Sequence, residues 1–124
     1  MRFRGGSLWL LTVLGALLIS AGAGFARDTR QPGLGEITVA ELPREGRATL
    51  LLIKKGGPFP YSKDGVVFGN FERQLPVNPR GYYHEYTIPT PGSRDRGARR
   101  IVAGRNGEYY YTEDHYRIFR RIRE

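Results

Sequence analysis

The sequence predicts an α+β fold, a single small helix packed on an antiparallel β-sheet. Two observations carry that reading. Only one stretch, Pro43 to Lys54, combines helical spacing with helix-type ends, and it precedes most of the extended segments. Behind it come short runs rich in β-branched and aromatic residues, Val66–Phe68, Tyr82–Ile88, Arg100–Gly104 and Tyr109–Thr112, separated by turn-forming residues. One helix ahead of consecutive strands packs as α+β rather than as alternating α/β units.

The chain opens with Arg2 and Arg4, a short apolar run from Leu8 to Ile19, and small residues at Ala21–Ala23 and Gly24–Ala26. This is the layout of a signal peptide over residues 1–26, with an apolar run short for a membrane span. It predicts a secreted, extracellular protein with no stable membrane association after cleavage. Residues 27–35 are polar and rich in Pro and Gly, a flexible leader. The folded domain is expected over residues 36–124, starting with a short strand or extended segment from Glu36 to Leu42.

Pro43 suits the first turn of the helix. Lys54 and Lys55 suit its negative end, and Gly56 can cap it. Ala48, Leu51 and Leu52 are expected to form its apolar face. Gly57-Pro58-Phe59-Pro60 cannot continue the helix. Asp64-Gly65 turns the chain into the strand Val66-Val67-Phe68. In the strand from Tyr82 to Ile88, alternation puts Tyr83, Glu85 and Thr87 on one face and Tyr82, His84 and Tyr86 on the other. Pro91-Gly92 makes a turn, Arg100–Gly104 a return strand, and Arg105-Asn106-Gly107 a hairpin turn in which Asn-Gly tolerates positive φ. Tyr109–Thr112 follows as a strand. His115 to Ile122 is read as a last strand, with Tyr116, Ile118 and Ile122, or the alternate Phe119, facing the core.

Composition narrows function. The 124 residues suffice for one domain, and 20 Lys+Arg against 12 Asp+Glu give a net charge of +8. Arg2 and Arg4 supply only part of that excess, so the domain itself is basic. Such a charge favours a polyanionic partner, nucleic acid or an anionic membrane surface. There is no cysteine and only two histidines, which excludes a disulfide framework, thiol chemistry and a histidine-rich metal site.

The densest chemistry lies in Gly81–Gly104, GYYHEYTIPTPGSRDRGARRIVAG. A hairpin-like return brings Arg94, Arg96, Arg99 and Arg100 back toward Glu85. A carboxylate beside guanidinium groups is either a structural ion pair or half of a phosphate-processing site. His84, opposite Glu85, reads as structural. His115 follows Glu113 and Asp114 in a turn, the ordinary setting of a surface histidine.

Three runs, GPFPYSKDGVVFGNFERQLP (57–76), GYYHEYTIPTPGSRDRGARRIVAG (81–104) and YYTEDHYRIF (110–119), resemble the secreted microbial guanyl-preferring ribonucleases, including barnase and, more closely, the small streptomycete enzymes. The resemblance spans about Ile37 to Ile122. It implies the microbial ribonuclease fold, and a metal- and cofactor-independent endoribonuclease. Such an enzyme cleaves single-stranded RNA by transphosphorylation to a 2′,3′-cyclic phosphate, then hydrolyses that to a 3′-phosphate. It assigns Glu85 as base, His115 as acid, and Arg96 and Arg100 as phosphate clamps. It places guanine recognition at Phe68, Gly69, Asn70, Phe71, Glu72 and Tyr116, with the Glu72 carboxylate accepting from the two donors on the guanine edge. As an ordinary loop acid, Glu72 would instead pair with Arg73.

Two features depart from the family. The streptomycete disulfide is missing, and the usual Asn-Arg-Glu is Asn70-Phe71-Glu72, which removes a guanidinium from beside the base. Two rival readings follow: a catalytically weak RNA-binding protein on the same fold, and a basic membrane-active secreted protein. The enzyme reading implies single-stranded RNA as partner, a monomer, and an acidic intracellular inhibitor that protects the producing cell.

Overall fold

The computed structural model describes Gly33–Glu124; the expected signal peptide, and the leader as far as residue 32, lie outside the described residues. The described chain folds as β1 (Gly35–Thr38), a 3-10 turn (Val39–Glu41), α1 (Arg44–Lys55), β2 (Val66–Phe68), β3 (Tyr83–Thr87), β4 (Arg100–Gly104), β5 (Tyr109–Thr112) and β6 (Arg120–Arg123).

Local chemistry sets the helix ends. Glu41 N donates to Thr38 Oγ1 (3.3 Å) while Thr38 N donates to Glu41 Oε1 (2.9 Å), a reciprocal cap that turns the chain out of β1. Pro43 is the N-cap of α1, and Gly56, at φ +89°, closes its other end with its N–H on Leu52 O. The apolar face differs from the expected one. Gly46, Thr49 and Leu50 are buried with Ile53 packed beside them, while Ala48 and Leu51 face solvent. The spacing i, i+3, i+4, i+7 is intact, but its first two members are Gly and Thr. They carry no apolar signal, so the remaining leucines suggest the wrong phase.

The six strands form one sheet in the order β1-β6-β5-β4-β3-β2. Four of the five pairings are antiparallel, as expected; β1 and β6 run parallel. That exception is topological. The intervening chain returns to the β1 edge only at its end, as a long crossover, and a parallel pair requires such a connection. Arg123 and Glu36 (2.7 Å) bridge the pair at the surface.

Both faces of the sheet are apolar. On one, Ile37, Leu42, Leu50, Ile88, Ile101, Tyr111 and Ile122 pack under α1. On the other, Leu75, Tyr83, Val102, Tyr110 and Phe119 are buried beneath loops. Cross-strand register sets which residues share the second face: Val66, Glu85 and Val102 lie abreast, and next to them Thr87, Arg100 and Thr112. Glu85 therefore stands on the loop-covered face and His84 on the opposite one, as alternation predicts.

The turns also follow from sequence. Thr90-Pro91-Gly92-Ser93 closes with Ser93 N on Thr90 O (3.0 Å) and Gly92 at φ +81°, the form of a type II turn with Pro second and Gly third. In the hairpin between β4 and β5, only Gly107 takes positive φ (+85°). Gly104 N bonds Glu108 O across three loop residues, so the Asn-Gly pair serves a bulged turn.

Burial raises the tyrosines of the second face, and it pushes the Tyr110 phenol up to about 12. Between about pH 10 and about pH 12 an unfolded chain gives up that proton while the folded one keeps it, so stability falls as pH rises through the window. Chemical denaturation across that range is expected to show a falling midpoint, and Tyr110→Phe is expected to make the decline shallower.

Candidate active site

The second face of the sheet holds a cleft of ≈ 440 Å³, lined at one end by Gly69, Asn70, Phe71 and Glu72 and at the other by Glu85 and Tyr116. Each wall is built by local hydrogen bonding. Asp64 pins the approach to β3: its Oδ1 accepts from Thr87 N (2.8 Å) and its Oδ2 from Tyr61 N (3.2 Å).

The loop after β2 is organised by Asn70. Its Oδ1 accepts from Leu75 N (3.1 Å) and its Nδ2 donates to Leu75 O (3.0 Å), so one side chain replaces a strand partner for Leu75. Asn70 itself sits at φ +54°, in the left-handed region that asparagine tolerates best among residues with a side chain. Phe71 then projects to 85% exposure, with the tip of its ring leaning over Gly69; a Cβ at 69 would lie 2.5 Å from that ring. Glu72 is exposed and makes no ion pair among the described residues. The expected alternative, a Glu72–Arg73 pair, is not formed.

Opposite this loop, the segment read as a strand from His115 to Ile122 is extended only from Arg120. His115 and Tyr116 both adopt left-handed backbone, φ +57° and +72°, which reverses the chain and ends any ladder. Thr112 and Asp114 hold the reversal. Tyr116 N bonds Thr112 Oγ1 (3.2 Å), Ile118 N bonds Asp114 Oδ1 (3.0 Å), and His115 N bonds Ala98 O (2.9 Å). Burial alone would raise the Asp114 carboxyl, but hydrogen bonds from Ile118 N and the Thr112 hydroxyl outweigh it and lower the pKa. Phe119 takes the core position, and Ile118 is 65% exposed.

The reversal aims Tyr116 back at β3. Its hydroxyl donates to Glu85 Oε1 at 2.6 Å, and its ring packs on Phe68 at 5.2 Å. Burial, then the bond to Glu85 and that carboxylate's charge, push the phenol up to about 12, so it stays a donor at neutral pH. The His115 ring is exposed, 4.7 Å from the Tyr116 ring.

Structure separates the four arginines. Arg94 is exposed. Arg99 is structural: it bonds Glu45 Oε1 (3.2 Å), Thr90 Oγ1 and Pro89 O, tying α1 to the turn before β4. Arg96 Nη1 donates to Thr87 Oγ1 (2.9 Å). Arg100 pairs with Thr87 across the ladder and is 2% exposed. Its Nη1 bonds Gly97 O and Arg99 O (2.9 Å each), its Cζ lies 5.9 Å from the Tyr116 ring centre, and its buried Nε has no partner. Thus Arg96 and Arg100 meet at Thr87, one side-chain repeat along β3 from Glu85. Gly97 permits this, since at φ +69° a Cβ would fall 2.5 Å from Thr90 Oγ1.

The structure therefore gathers Glu85, Tyr116, Arg96 and Arg100, with His115 beside Tyr116, and places Phe68–Glu72 at the far end of the same cleft. Sequence reasoning missed Asp64, Gln74, Thr112 and Asp114. Gln74 Nε2 bonds Tyr116 O at 3.0 Å, joining the two loops. The Thr-x-Asp spacing at 112–114 was a legible sign, because such side chains bond nearby backbone in turns. No group of three or more metal-ligating side chains occurs among the described residues.

Comparison with known proteins finds ribonucleases. A family model described as ribonuclease matches residues 26–123. Guanyl-specific ribonuclease St of Saccharopolyspora erythraea is 57% identical over 88 residues, 71% of this chain and 87% of that protein. Guanyl-specific ribonuclease Sa3 of Kitasatospora aureofaciens is 57% identical over 90 residues, 72% of this chain and 64% of that one. Ribonuclease Sa2, solved in complexes with mononucleotides, superposes with a TM-score of 0.74 at 50% identity, covering 76% of this chain and 98% of that one. Its structure with guanosine-2′-cyclophosphate gives 0.71 at 49% identity, covering 73% and 97%.

Removing Asn70 should loosen the loop after β2. Asn70→Ala leaves Leu75 N unpaired and strains a left-handed position, and is expected to lower stability by about 1–3 kcal/mol in urea titrations. Asn70→Gly, which relieves only the backbone strain, is expected to recover part of that loss.

Proposed function

We propose that this chain, which belongs to the microbial guanyl-preferring ribonuclease family, is itself a guanyl-preferring endoribonuclease that cleaves single-stranded RNA through a 2′,3′-cyclic phosphate. The observation that carries the reading is the placement of Glu85 in one cleft with the 68–72 loop, hydrogen-bonded by Tyr116. RNA brings its own nucleophile, the 2′-OH, so the protein must supply a base, an acid and cations for the phosphorane charge.

Glu85 takes the 2′ proton as the 2′ oxygen attacks phosphorus. His115 gives a proton to the departing 5′ oxygen, and the P–O5′ bond breaks. Arg96 and Arg100 neutralise the charge that builds on the non-bridging oxygens. The unpaired Nε of Arg100 supports that role, being a buried donor that the protein leaves free. In the second step His115 takes a proton from water, the water oxygen attacks the cyclic phosphorus, the P–O2′ bond breaks, and Glu85 returns a proton to the departing 2′ oxygen, leaving a 3′-phosphate. Tyr116 stays protonated throughout and orients the Glu85 carboxylate. At the other end of the cleft the exposed Glu72 carboxylate accepts from guanine N1–H and the N2 amino group, and Phe68 lies beneath the base.

Export fits the same reading. Arg2, Arg4 and the apolar run Leu8–Ile19 direct secretion, with cleavage near Ala26. Mass spectrometry of secreted protein is expected to show a mature start near Arg27; an intact Met1 would overturn cleavage.

His115→Ala is expected to lower guanylyl dinucleotide cleavage by roughly two or more orders of magnitude, the scale of a lost general acid. Glu85→Ala is expected to be comparably severe. The wild-type rate should be bell-shaped in pH and unchanged by EDTA. Full activity of either variant would remove that residue from the mechanism, and binding of RNA without cleavage by the wild type would favour a binding protein on the same fold.

A further inference from the structure

At the rim of the cleft, Phe71 takes part in a second built feature, apart from the reacting groups. The Arg80 guanidinium lies over the Phe71 ring, 5.8 Å from its centre. The two residues belong to different loops, and the backbone holds both loops in place. Pro79-Arg80-Gly81-Tyr82 is a tight turn, with Tyr82 N on Pro79 O (3.0 Å) and Gly81 at φ +92°. The carbonyl of Pro76 accepts from the Tyr83 hydroxyl (2.6 Å), from Asn78 Nδ2 (3.4 Å) and from Asn70 Nδ2 (3.5 Å), so it ties the Phe71 loop to the Arg80 turn through a buried tyrosine.

Both side chains are exposed, and Arg80 has no ion-pair partner among the described residues. An exposed aromatic ring with an unpaired guanidinium above it matches what single-stranded nucleic acid presents, a base face and a phosphate. Direction follows from the cleft. With guanine at residues 69–72 and its 3′-phosphate toward Glu85, the leaving 3′ strand departs from the Glu85 end of the cleft, which leaves the base end to the 5′ strand. The ring of Phe71 and the guanidinium of Arg80 lie at the base end, away from the scissile group.

We propose that Phe71 and Arg80 form a subsite for the nucleotide upstream of guanine: the Phe71 ring stacks on its base, and Arg80 binds the phosphate that joins it to the guanosine. This rests on the ribonuclease reading above. A guanidinium is thus restored to the substrate groove from another loop, at a place where it reads the strand before the cut.

The test compares GpA with UpGpA, which adds one upstream nucleotide and its phosphate. Wild type is expected to favour UpGpA severalfold in kcat/KM. Arg80→Gln should lower kcat/KM on UpGpA by about tenfold, the scale of one charge-assisted contact, mainly through KM, with a smaller loss on GpA. The loss should shrink as salt is added. Phe71→Leu should also reduce the UpGpA preference, and its effect should be smaller in the Arg80→Gln background. Arg44→Gln, the same charge change at the exposed start of α1 on the other side of the sheet, serves as control and should move neither substrate more than about twofold. Equal loss on both substrates, or an Arg80→Gln enzyme indistinguishable from Arg44→Gln, would overturn the subsite alone. A wild type that cuts neither substrate would overturn the ribonuclease reading itself.

Discussion

One helix covers one face of the sheet, so Leu75, Tyr83, Val102, Tyr110 and Phe119 on the other face are kept from water by loops. Loops have no ladder to satisfy their backbone, and a buried unpaired N–H or C=O costs about as much as a lost hydrogen bond. Side chains therefore act as the missing partners: Asn70 for Leu75, Thr112 and Asp114 for Tyr116 and Ile118, and Gln74 for Tyr116 O. The cleft is the gap these two loops leave above β3. Glu85 reaches it because register puts that residue between Val66 and Val102 on the loop-covered face.

The same arrangement sets the electrostatics. Arg99 is neutralised by Glu45 and serves the scaffold. Arg100 is more deeply buried, yet its partners are two carbonyl groups and an aromatic ring rather than a carboxylate. A charge taken from water without a counter-ion costs several kcal/mol, by order of magnitude. A phosphate arriving at Thr87 would offset part of that cost. In the proposed function, stability held back in the free protein would thereby become affinity for the substrate.

How far the sequence disclosed this depends on the kind of signal. Period-two alternation around Glu85 and the Pro-Gly turn at 91–92 are local, and the structure follows them. The helix phase was misread because Gly46 and Thr49 are buried by close approach, which hydrophobicity does not encode. The last strand was overextended because Tyr116, Ile118 and Phe119 have strand-like composition, while the left-handed pair at 115 and 116 depends on bonds to Thr112 and Ala98. Parallel pairing of β1 with β6 is a property of the whole chain, and no local window holds it. The proximity of Phe71 and Arg80 was equally hidden, since it is created by a shared carbonyl at Pro76.

That parallel pair has a consequence for synthesis. Among the described residues β1 is the first strand made, and its only neighbour in the sheet is β6, the last of them. A chain still short of Arg120–Arg123 leaves β1 unpaired and Ile37 without Ile122 above it. The sheet closes only once β6 has been made, so a growing polypeptide that has not reached it lacks the complete fold. Topology thus delays the completion of a basic, RNA-cleaving protein until the sixth strand of its sheet has been made.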